Sequence, residues 1–446
     1  MTGSIATAPA AADRRAGPLD RQSPVWVGVG FVALAFAVYL LSNPSRRDLY
    51  THFVWQAQAW LDGSAAIPYP VETGPFQNGY LQDVFPLVDR PGYALIPFPP
   101  LPALVLLPFV ALFGLATQAS MVAVALGALN VGLCWRMLLR VTERRAAALL
   151  GTTFYGFGTV AWYAAMLGST WFLAHVVAST FLFLGITAAL GGKRAPGRRQ
   201  LGAGLLFGTA ALARLTTIFG APFFLFVGAG ETWPRRALLA GLGAAIPVAL
   251  LLGYNVATTG QVFHPGYDHI REVEYKPRPH LYHPDWGTED VRYIPQNARI
   301  ALLWPPLGPS LAACADVQLS AVDALFDPDC APLRPDPVGM SILLTSPAYL
   351  LAIPVLLRRW RTRLVAGAAL SVVAIGLADL AHFSQGWVQF GYRFSNDFAP
   401  FAVLLVTLGV AQAGTSRLAW LLAVGLVAAS VVVNAWGVAW GVRLGW

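Results

Sequence analysis

The sequence predicts an all-α polytopic membrane protein, and three observations support this fold class. Of the 446 residues, 56% are hydrophobic and only 12% are charged, whereas about a quarter of the residues in a soluble domain are charged. Apolar runs long enough to cross a bilayer recur along most of the chain. The ten-residue segments of alternating hydrophobicity that are typical of an outer-membrane barrel are absent from the sequence.

Nine apolar segments are clear candidates for transmembrane helices. They cover residues 25–42, 119–139, 147–167, 171–190, 236–257, 339–357, 364–383, 397–413 and 418–440. Two further segments, 98–114 and 201–230, are ambiguous by length and hydrophobicity alone. Residues 1–24 are basic and weakly hydrophobic, which predicts a disordered cytoplasmic tail ahead of a single transmembrane domain over 25–446.

The distribution of positive charge resolves the two ambiguous segments, because short cytoplasmic loops are enriched in Lys and Arg. The basic loops 140–145 and 192–199 both lie inside only if 98–114 does not cross, and four prolines also disfavour a lipid-facing helix there. Arg235 and Arg236 lie inside only if 201–230 crosses twice. The sequence therefore predicts eleven crossings, with the N-terminus inside and the C-terminus outside.

The two crossings predicted within the second segment are 201–216 and 218–233, each near the lower length limit for spanning. The loops 43–118, 258–338 and 384–396 then face outward. Any chemistry is expected on the outer face of the cell membrane. Cys314 and Cys330 flank a polar stretch of the second of these loops, and both a disulfide and free thiols are compatible with the sequence.

Three aspartates of the first outer loop are candidate general bases. Asp48 follows the first crossing within six residues, which places it at the outer end of that helix; its alternative role is a solvated partner of Arg46 or Arg47. Asp83 and Asp89, in LQDVFPLVDRPGY, are further candidates, and each is alternatively an ordinary loop charge. Between them and Asp48, residues 53–61 predict a short interfacial helix that ends at Gly63.

Two arginines are candidate ligands for a phosphate. Arg214 is flanked by apolar residues, so it needs a partner or a wet cavity, and its guanidinium group can bind a phosphate with two hydrogen bonds. The alternative for Arg214 is that it reaches to the outer headgroups. Arg393 stands beside Tyr392 at the head of the tenth crossing, and the alternative for Arg393 is an i,i+4 ion pair with Asp397.

Motifs for several other kinds of chemistry are missing from the sequence. It contains no HExxH, phosphate loop, GxSxG or CxxC motif. His264, His269, His280 and His283 do not complete a recognisable zinc set. No cofactor is therefore indicated, a divalent metal is left open, and the net charge of +8 is explained by membrane orientation and not by nucleic-acid binding.

Six stretches together carry a resemblance to a known family. They are HFVWQAQAWLDG (52–63), FPPLPALVLLPFVALFG with GALN (98–114 and 127–130), ALARLTTIFGAPFF (211–224), YNVATTGQVFHPGY (254–267), GMSILLTSPA (339–348) and GWVQFGYRFSNDFAPF (386–401). In their order and spacing, the chain resembles membrane glycosyltransferases of the GT-C type. It is similar to the bacterial proteins grouped with the dolichyl-phosphate-mannose protein mannosyltransferases.

The resemblance implies a GT-C-like bundle whose long first outer loop carries amphipathic helices along the membrane. It also implies a polyprenyl-phosphate-linked sugar as donor, used at the outer face. The acid that follows the first crossing in this family maps onto Asp48 as general base. Many relatives have an acidic pair there, whereas Leu49 follows Asp48 here, so Asp83 and Asp89 stay candidates.

The same resemblance maps the phosphate-binding residues onto Arg214 and Arg393. The residues expected to line the substrate cavity are His52, His264, Tyr267 and Tyr392. Direct displacement of the lipid phosphate by an acceptor hydroxyl would invert the anomeric centre. The sequence does not identify the sugar, or whether the acceptor is a glycan, a lipid or a protein. The alternatives are a lipid or polysaccharide transporter and a non-catalytic membrane partner. The sequence shows no internal repeat, and many transporters carry one, which weakens the transporter alternative.

Overall fold

The computed structural model describes residues 24–44, 50–69, 83–191, 196–229, 232–274, 276, 283–310, 314, 324–414 and 416–446. Asp48 and most of the predicted cytoplasmic tail lie outside the described residues. The helices are α1 Pro24–Ser42, α2 His52–Leu61, α3 Leu101–Phe113, α4 Ala119–Leu138, α5 Arg145–Phe157, α6 Ala161–Leu167, α7 Thr170–Ala189, α8 Pro196–Ala211, α9 Ala221–Phe226, α10 Trp233–Thr259, α11 Gly266–Glu274, α12 Ile294–Leu303, α13 Ile342–Thr345, α14 Ile353–Arg359, α15 Arg363–Ala381, α16 Ser395–Gln412 and α17 Arg417–Leu444. Short 3-10 turns cover Gly114–Ala116, Leu215–Gly220, Val291–Tyr293 and Pro347–Ala352.

These helices confirm the predicted all-α membrane fold class. Within the described residues, six helices are long and apolar enough to cross a membrane: α1, α4, α7, α10, α15 and α17. Each of the six coincides with a predicted crossing to within a few residues at either end. The total of eleven crossings and the orientation in the membrane stay predictions, because several other crossings are built from shorter pieces.

Two helices, α7 and α16, form the centre of the bundle. Nearly all residues of each are buried, as expected of helices that are apolar on all sides. A large continuous core surrounds them, built from apolar side chains of most other helices. In contrast, α1 and α17 lie at the periphery and expose leucines and valines that suit contact with lipid.

Two predicted crossings are broken in the structure. The predicted 147–167 helix is two helices, since α5 ends at Gly158 and α6 starts at Ala161. The predicted 339–357 helix consists of α13, a 3-10 turn and α14, because Pro347 has no N–H group to continue α13.

The segment 201–230 is divided, as predicted for the pair 201–216 and 218–233, but the first helix ends earlier than predicted. Helix α8 stops at Ala211, and a 3-10 turn and α9 follow, so the second half is only a short apolar piece that ends at Phe226. The break leaves backbone polar groups without partners inside a helix. One of them, the Leu212 carbonyl, accepts a hydrogen bond from the Leu101 N–H group at 2.9 Å.

The loop predicted to be the first outer loop contains the predicted short helix, which is mostly buried, and a sheet that was not predicted. Helix α2 ends next to Gly63, whose φ of +74° needs a glycine. Strands β1 (Ile67–Pro68), β2 (Phe85–Pro86) and β3 (Tyr93–Leu95) form an antiparallel sheet in the order β1-β3-β2, with Ile67 opposite Ala94 and Phe85 opposite Leu95. The prediction missed these strands because they are only two or three residues long.

The ambiguous 98–114 stretch forms α3, which has 13 residues. At about 1.5 Å per residue it is shorter than the hydrocarbon core of about 30 Å. This length fits the prediction that the stretch does not cross. In the second outer loop, Cys314 and Cys330 form a disulfide, with their Cα atoms 5.3 Å apart.

Candidate active site

A cavity of about 240 Å³ lies at the end of the bundle where α7, α11 and α16 begin and α15 ends. Its lining residues come from all three loops that the sequence places outside. They are Tyr50, Asp83, Phe98, Trp171, Arg214, Tyr267, Ile270, His382, Phe383, Ser384, Trp387, Val388, Arg393 and Phe394. Half of them are aromatic, and the polar ones include both predicted phosphate-binding arginines. An apolar lining with a few converging charged groups is the usual composition of a small-molecule site.

Backbone strain is concentrated around this cavity. Among the described residues, the non-glycine residues with positive φ are Tyr50 (φ 59°), Asp83 (φ 60°) and Val388 (φ 52°), and all three line the cavity. Residues other than glycine rarely adopt this left-handed backbone conformation, which costs about 1–3 kcal/mol for each residue. Such residues cluster at functional sites, so the backbone independently marks this cavity as the site.

Arg214 is fixed in the cavity wall by Asp397 of α16. The Arg214 Nε and Nη2 atoms donate to Asp397 Oδ2 at 3.1 and 2.8 Å. The Thr216 hydroxyl donates to the same oxygen at 2.7 Å. The Asp397 side chain is fully buried, and 20% of the Arg214 side chain is exposed. This pairing fixes the orientation of the planar guanidinium group of Arg214, which favours a two-bond contact with an oxyanion.

The other oxygen of Asp397 is also occupied. His175, in the first turns of α7, is bonded through Nδ1 to Asp397 Oδ1 at 2.7 Å. Because a carboxylate oxygen accepts, we assign the proton to the histidine Nδ1. Both carboxylate oxygens are therefore engaged with side chains of α7 and of the 214–216 segment, so Asp397 acts as a positioning residue and is not available as a base.

Arg393, the second predicted phosphate ligand, lies among aromatic rings. Its guanidinium carbon is 5.3 Å from the ring centroid of Phe394, 5.6 Å from that of Phe172 and 5.8 Å from that of Trp171. Arg214 is also 5.0 Å from the Phe394 centroid. The structure thus brings Arg214 and Arg393, almost 180 residues apart in sequence, into contact with one ring. The sequence also allowed an ion pair between Arg393 and Asp397. In the structure, the carboxylate of Asp397 is bound by Arg214, Thr216 and His175.

The predicted acids are placed differently. Asp83 lines the cavity, and its Oδ2 accepts a hydrogen bond from the Trp171 indole N–H at 2.7 Å. Asp89 is exposed on the turn between β2 and β3 and is not among the lining residues. Asp48 lies outside the described residues. Of the three, only Asp83 is therefore placed at the cavity by the described part of the chain.

Of the four residues expected to line the cavity, Tyr267 does so. The other three pack against neighbouring side chains. His52 is buried behind the wall, with Nδ1 2.8 Å from the Thr170 hydroxyl and its ring against Trp171. Tyr392 is buried and packs against Phe394. His52 and Tyr392 are not among the lining residues, and their side chains contact residues that are.

His264 and Tyr267 lie close together at the start of α11. His264 is also outside the lining, contrary to expectation, because its Nδ1 accepts a hydrogen bond from the Gly266 N–H group at 3.0 Å and its ring packs on Phe85. Burial lowers the pKa of His264 to about 4. Burial raises the pKa of Tyr267 to about 12, against the lowering effect of the nearby Arg214. Both side chains are therefore neutral at pH 7.

Sequence reasoning missed several polar residues of the site. His175 and Asp379 stand inside apolar helices, which was a usable signal for function. Asp379 is buried in α15 close to Asp397 and Thr216. His382 and its partner Glu289 have no such signal, because each lies in a loop and only the fold brings them together.

Comparison with known proteins supports the fold. No protein-family model matches the sequence, and no curated protein matches it. Among solved structures, the chain is similar to ArnT from Cupriavidus metallidurans bound to undecaprenyl phosphate, with a TM-score of 0.52 and 12% sequence identity over 95% of this chain and 77% of ArnT. The chain has a GT-C-type fold.

A second structural match is the archaeal oligosaccharyltransferase AglB from Archaeoglobus fulgidus in complex with an inhibitory peptide and a dolichol-phosphate. Its TM-score is 0.47 with 11% identity, over 93% of this chain and 56% of AglB.

Proposed function

We propose that this protein is a membrane glycosyltransferase that moves a sugar from a polyprenyl-phosphate donor to an acceptor hydroxyl group. The observation that carries the proposal is the pair of arginines on one aromatic cavity at the end of a GT-C-type bundle. One of them is held in place by a buried carboxylate. The lipid phosphate bound to ArnT supports the donor class.

The two arginines would bind the donor phosphate from two sides. Arg214 is pre-oriented by Asp397, so little conformational freedom is lost on binding. Arg393 lies beside aromatic faces that exclude water and strengthen its attraction for an anion. Aromatic side chains such as Trp171 and Trp387 provide flat apolar surfaces for a sugar ring in the same cavity.

The reaction follows from the chemistry of the donor. A lipid-linked sugar phosphate is already activated, so no nucleotide is needed. The acceptor oxygen attacks the anomeric carbon while the bond from that carbon to the phosphate oxygen breaks, and the configuration inverts. The arginines stabilise the negative charge that grows on the leaving phosphate.

An aspartate would take the proton of the acceptor hydroxyl. Asp48 is the candidate that the family resemblance favours, and Asp83 is the candidate whose carboxylate lies at the cavity. General-base catalysis typically contributes about 10²–10⁴-fold. Asp48→Asn and Asp83→Asn would therefore differ strongly in turnover if only one is the base, and Asp89→Asn serves as the exposed control.

We place the reaction on the outer face of the cell membrane, with the N-terminus in the cytoplasm. The positive-inside rule supports this orientation, because the basic loops 140–145 and 192–199 are opposite to the loops that form the cavity. The sugar and the acceptor, whether glycan, lipid or protein, are left to experiment.

Incubation of the purified protein with a panel of polyprenyl-phosphate sugars tests the proposal. We expect at least one donor to be consumed and free polyprenyl phosphate to be released. Arg214→Lys and Arg393→Lys should reduce this release strongly, because an ammonium group cannot reproduce the planar two-bond geometry. Arg90→Lys, at an exposed arginine that is not among the lining residues, is the matched control. Transport of the intact donor across a vesicle membrane without release would support a transporter instead.

A further inference from the structure

A histidine–glutamate pair at the cavity is not used by the proposed reaction. His382, at the end of α15, lines the cavity, and its Nδ1 is 2.6 Å from the Glu289 Oε1 atom. The His382 side chain is 18% exposed and that of Glu289 is 62% exposed. No described residue forms a hydrogen bond with the other ring nitrogen of His382, so Nε2 is left for a ligand.

The backbone around this pair is fixed by hydrogen bonds from two segments. Phe383 N–H donates to Thr288 C=O at 2.9 Å, and Asp290 N–H donates to Ala381 C=O at 2.8 Å, which holds Glu289 directly beside His382. The buried Asn297 amide of α12 also donates to the carbonyl of His382 at 2.8 Å. A pair held this firmly has the precision that proton transfer requires.

His382 lines the same cavity as the two arginines. Its ring centroid is 6.4 Å from that of Phe394, and Phe394 also contacts the guanidinium groups of Arg214 and Arg393. Three basic side chains therefore surround one phenyl ring. An anion drawn to the arginines would come close to the imidazole as well.

The carboxylate of Glu289 accepts the hydrogen bond of His382 Nδ1, which fixes the orientation of the ring and leaves Nε2 to face a ligand. An imidazolium group can donate a proton through Nε2. We propose that His382, positioned by Glu289, protonates the leaving lipid phosphate. The proposal rests on the proposed glycosyltransferase function and adds a proton donor to the aspartate base.

The proton balance of the step is complete. The acceptor O–H bond breaks and its proton goes to the aspartate, while the acceptor oxygen bonds to the anomeric carbon. The electron pair of the broken carbon–oxygen bond stays on the phosphate, and the phosphate receives a proton from His382 Nε2. The proton on the aspartate then returns to His382 through water before the next turnover.

The test compares His382→Gln, Glu289→Gln and the matched control His269→Gln in full-length purified protein. His269 lies on the nearby α11 but does not line the cavity. Glutamine keeps a hydrogen-bond donor but cannot transfer a proton. Three quantities are measured: turnover of a polyprenyl-phosphate sugar, affinity for polyprenyl phosphate itself and the pH–rate profile.

For His382→Gln we expect turnover to fall by at least about a hundredfold, with lipid-phosphate affinity changed by less than about threefold. Glu289→Gln should lower turnover less, and His269→Gln should not lower it. A proton donor loses its proton as pH rises, so wild-type turnover should fall on the alkaline side and His382→Gln should lack that fall. The charged and titratable groups around the His382 ring are Glu289, Asp83, Tyr267, Arg214, Arg393 and Asp379. Tyr267 does not interfere, because its pKa of about 12 lies above the range of the assay.

Several outcomes would overturn the assignment. Turnover of His382→Gln within about threefold of wild type would remove any role in proton transfer. A parallel loss of turnover, lipid-phosphate affinity and thermal stability would show that His382 only maintains the shape of the cavity. If the turnover of His382→Gln still falls on the alkaline side, the proton donor is another group. If the variant instead loses a fall of turnover on the acidic side, His382 is a proton acceptor. If the wild-type protein consumes no lipid-linked sugar, the proposed function fails as well. That result differs from the outcomes above, in which the wild type is active and only the role of His382 fails.

Discussion

Helices α7 and α17 are similarly apolar, yet they lie in different surroundings. Over the most apolar 18 residues of each, 83% of α7 is buried inside the protein and only 22% of α17. In α17 the buried polar side chains, Ser430 and Asn434, lie four residues apart on one face. In α7, buried polar residues such as Thr170, His175 and Thr187 occur along the whole length. Hydropathy alone therefore identifies a membrane helix, whereas the spread of its polar residues indicates whether protein or lipid surrounds it.

The largest expected effect is at the polar centre of the bundle. Asp397→Asn removes the charge that binds Arg214 and leaves that guanidinium unpaired. Breaking a buried ion pair in this way typically costs about 3–5 kcal/mol. We expect a loss of this size in the free energy of unfolding, measured in mild detergent, together with loss of lipid-phosphate binding. Arg417→Gln, at the exposed start of α17, should change neither. A loss below about 1 kcal/mol for Asp397→Asn would mean that the pair is not a structural element.

Leucine truncation separates the two environments more directly. Leu404 of α16 is fully buried, and Leu421 of α17 is 57% exposed. Leu404→Ala leaves a cavity and should cost about 2–5 kcal/mol. Leu421→Ala should cost under about 0.5 kcal/mol, because its side chain faces away from the protein core. Equal losses in the same unfolding assay would contradict the peripheral position of α17.

Glycine substitution tests how closely the helices pack. A Cβ atom on Gly409 of α16 would overlap the carbonyl oxygen of Leu351, whereas one on Gly425 of α17 would meet no atom within 4 Å. Gly409→Ala should therefore destabilise by about 1–3 kcal/mol. Gly425→Ala should stabilise by about 0.4–1 kcal/mol, since alanine restricts the unfolded chain. The comparison breaks down if both variants move the unfolding midpoint in the same direction.

An effect that appears only at acid pH is expected outside the bundle, at His264. Its folded pKa of about 4 is below the ordinary value of 6.5, so the unfolded chain binds a proton more readily. The contribution of His264 to stability is full above pH 6.5 and is lost as the pH falls towards 4. His264→Asn keeps an acceptor for the Gly266 N–H group and does not titrate. We expect the unfolding midpoint of the variant to decline less than that of wild type between pH 6.5 and 4, and equal slopes would assign the acid sensitivity to other groups.

Much of the fold could be predicted from the sequence because membrane helices are long and local. The predicted segments 25–42 and 171–190 match α1 and α7 within one or two residues. The break after Phe157 was missed, because it depends on how the helix ends pack against other helices and not on a strong local signal. The break within 201–230 was predicted from the positive charges, although α8 ends at Ala211, about five residues before the predicted end. The placement of Pro347 was a local signal, since proline ends a helix, and it was not used.

The candidate site could be predicted only where a residue was out of place in its own segment. Arg214 was identified because a charged residue in an apolar run needs a partner. Its partner Asp397 is 183 positions away, and His382 and Glu289 are 93 positions apart. Contacts over such separations follow from helix packing, which no local pattern encodes. The expected lining residues His52 and Tyr392 were close in sequence to true lining residues, but their side chains point into the protein.

The strained backbone around the cavity bears on how the protein would respond to selection for heat resistance. Val388 is the most constrained of the three left-handed residues, because a β-branched side chain crowds its own backbone at φ 52°. A glycine there would relax this conformation at no steric cost. Stabilising replacements should accordingly accumulate at the rim of the cavity in a thermostability screen, and those same replacements should be the ones that impair the proposed activity.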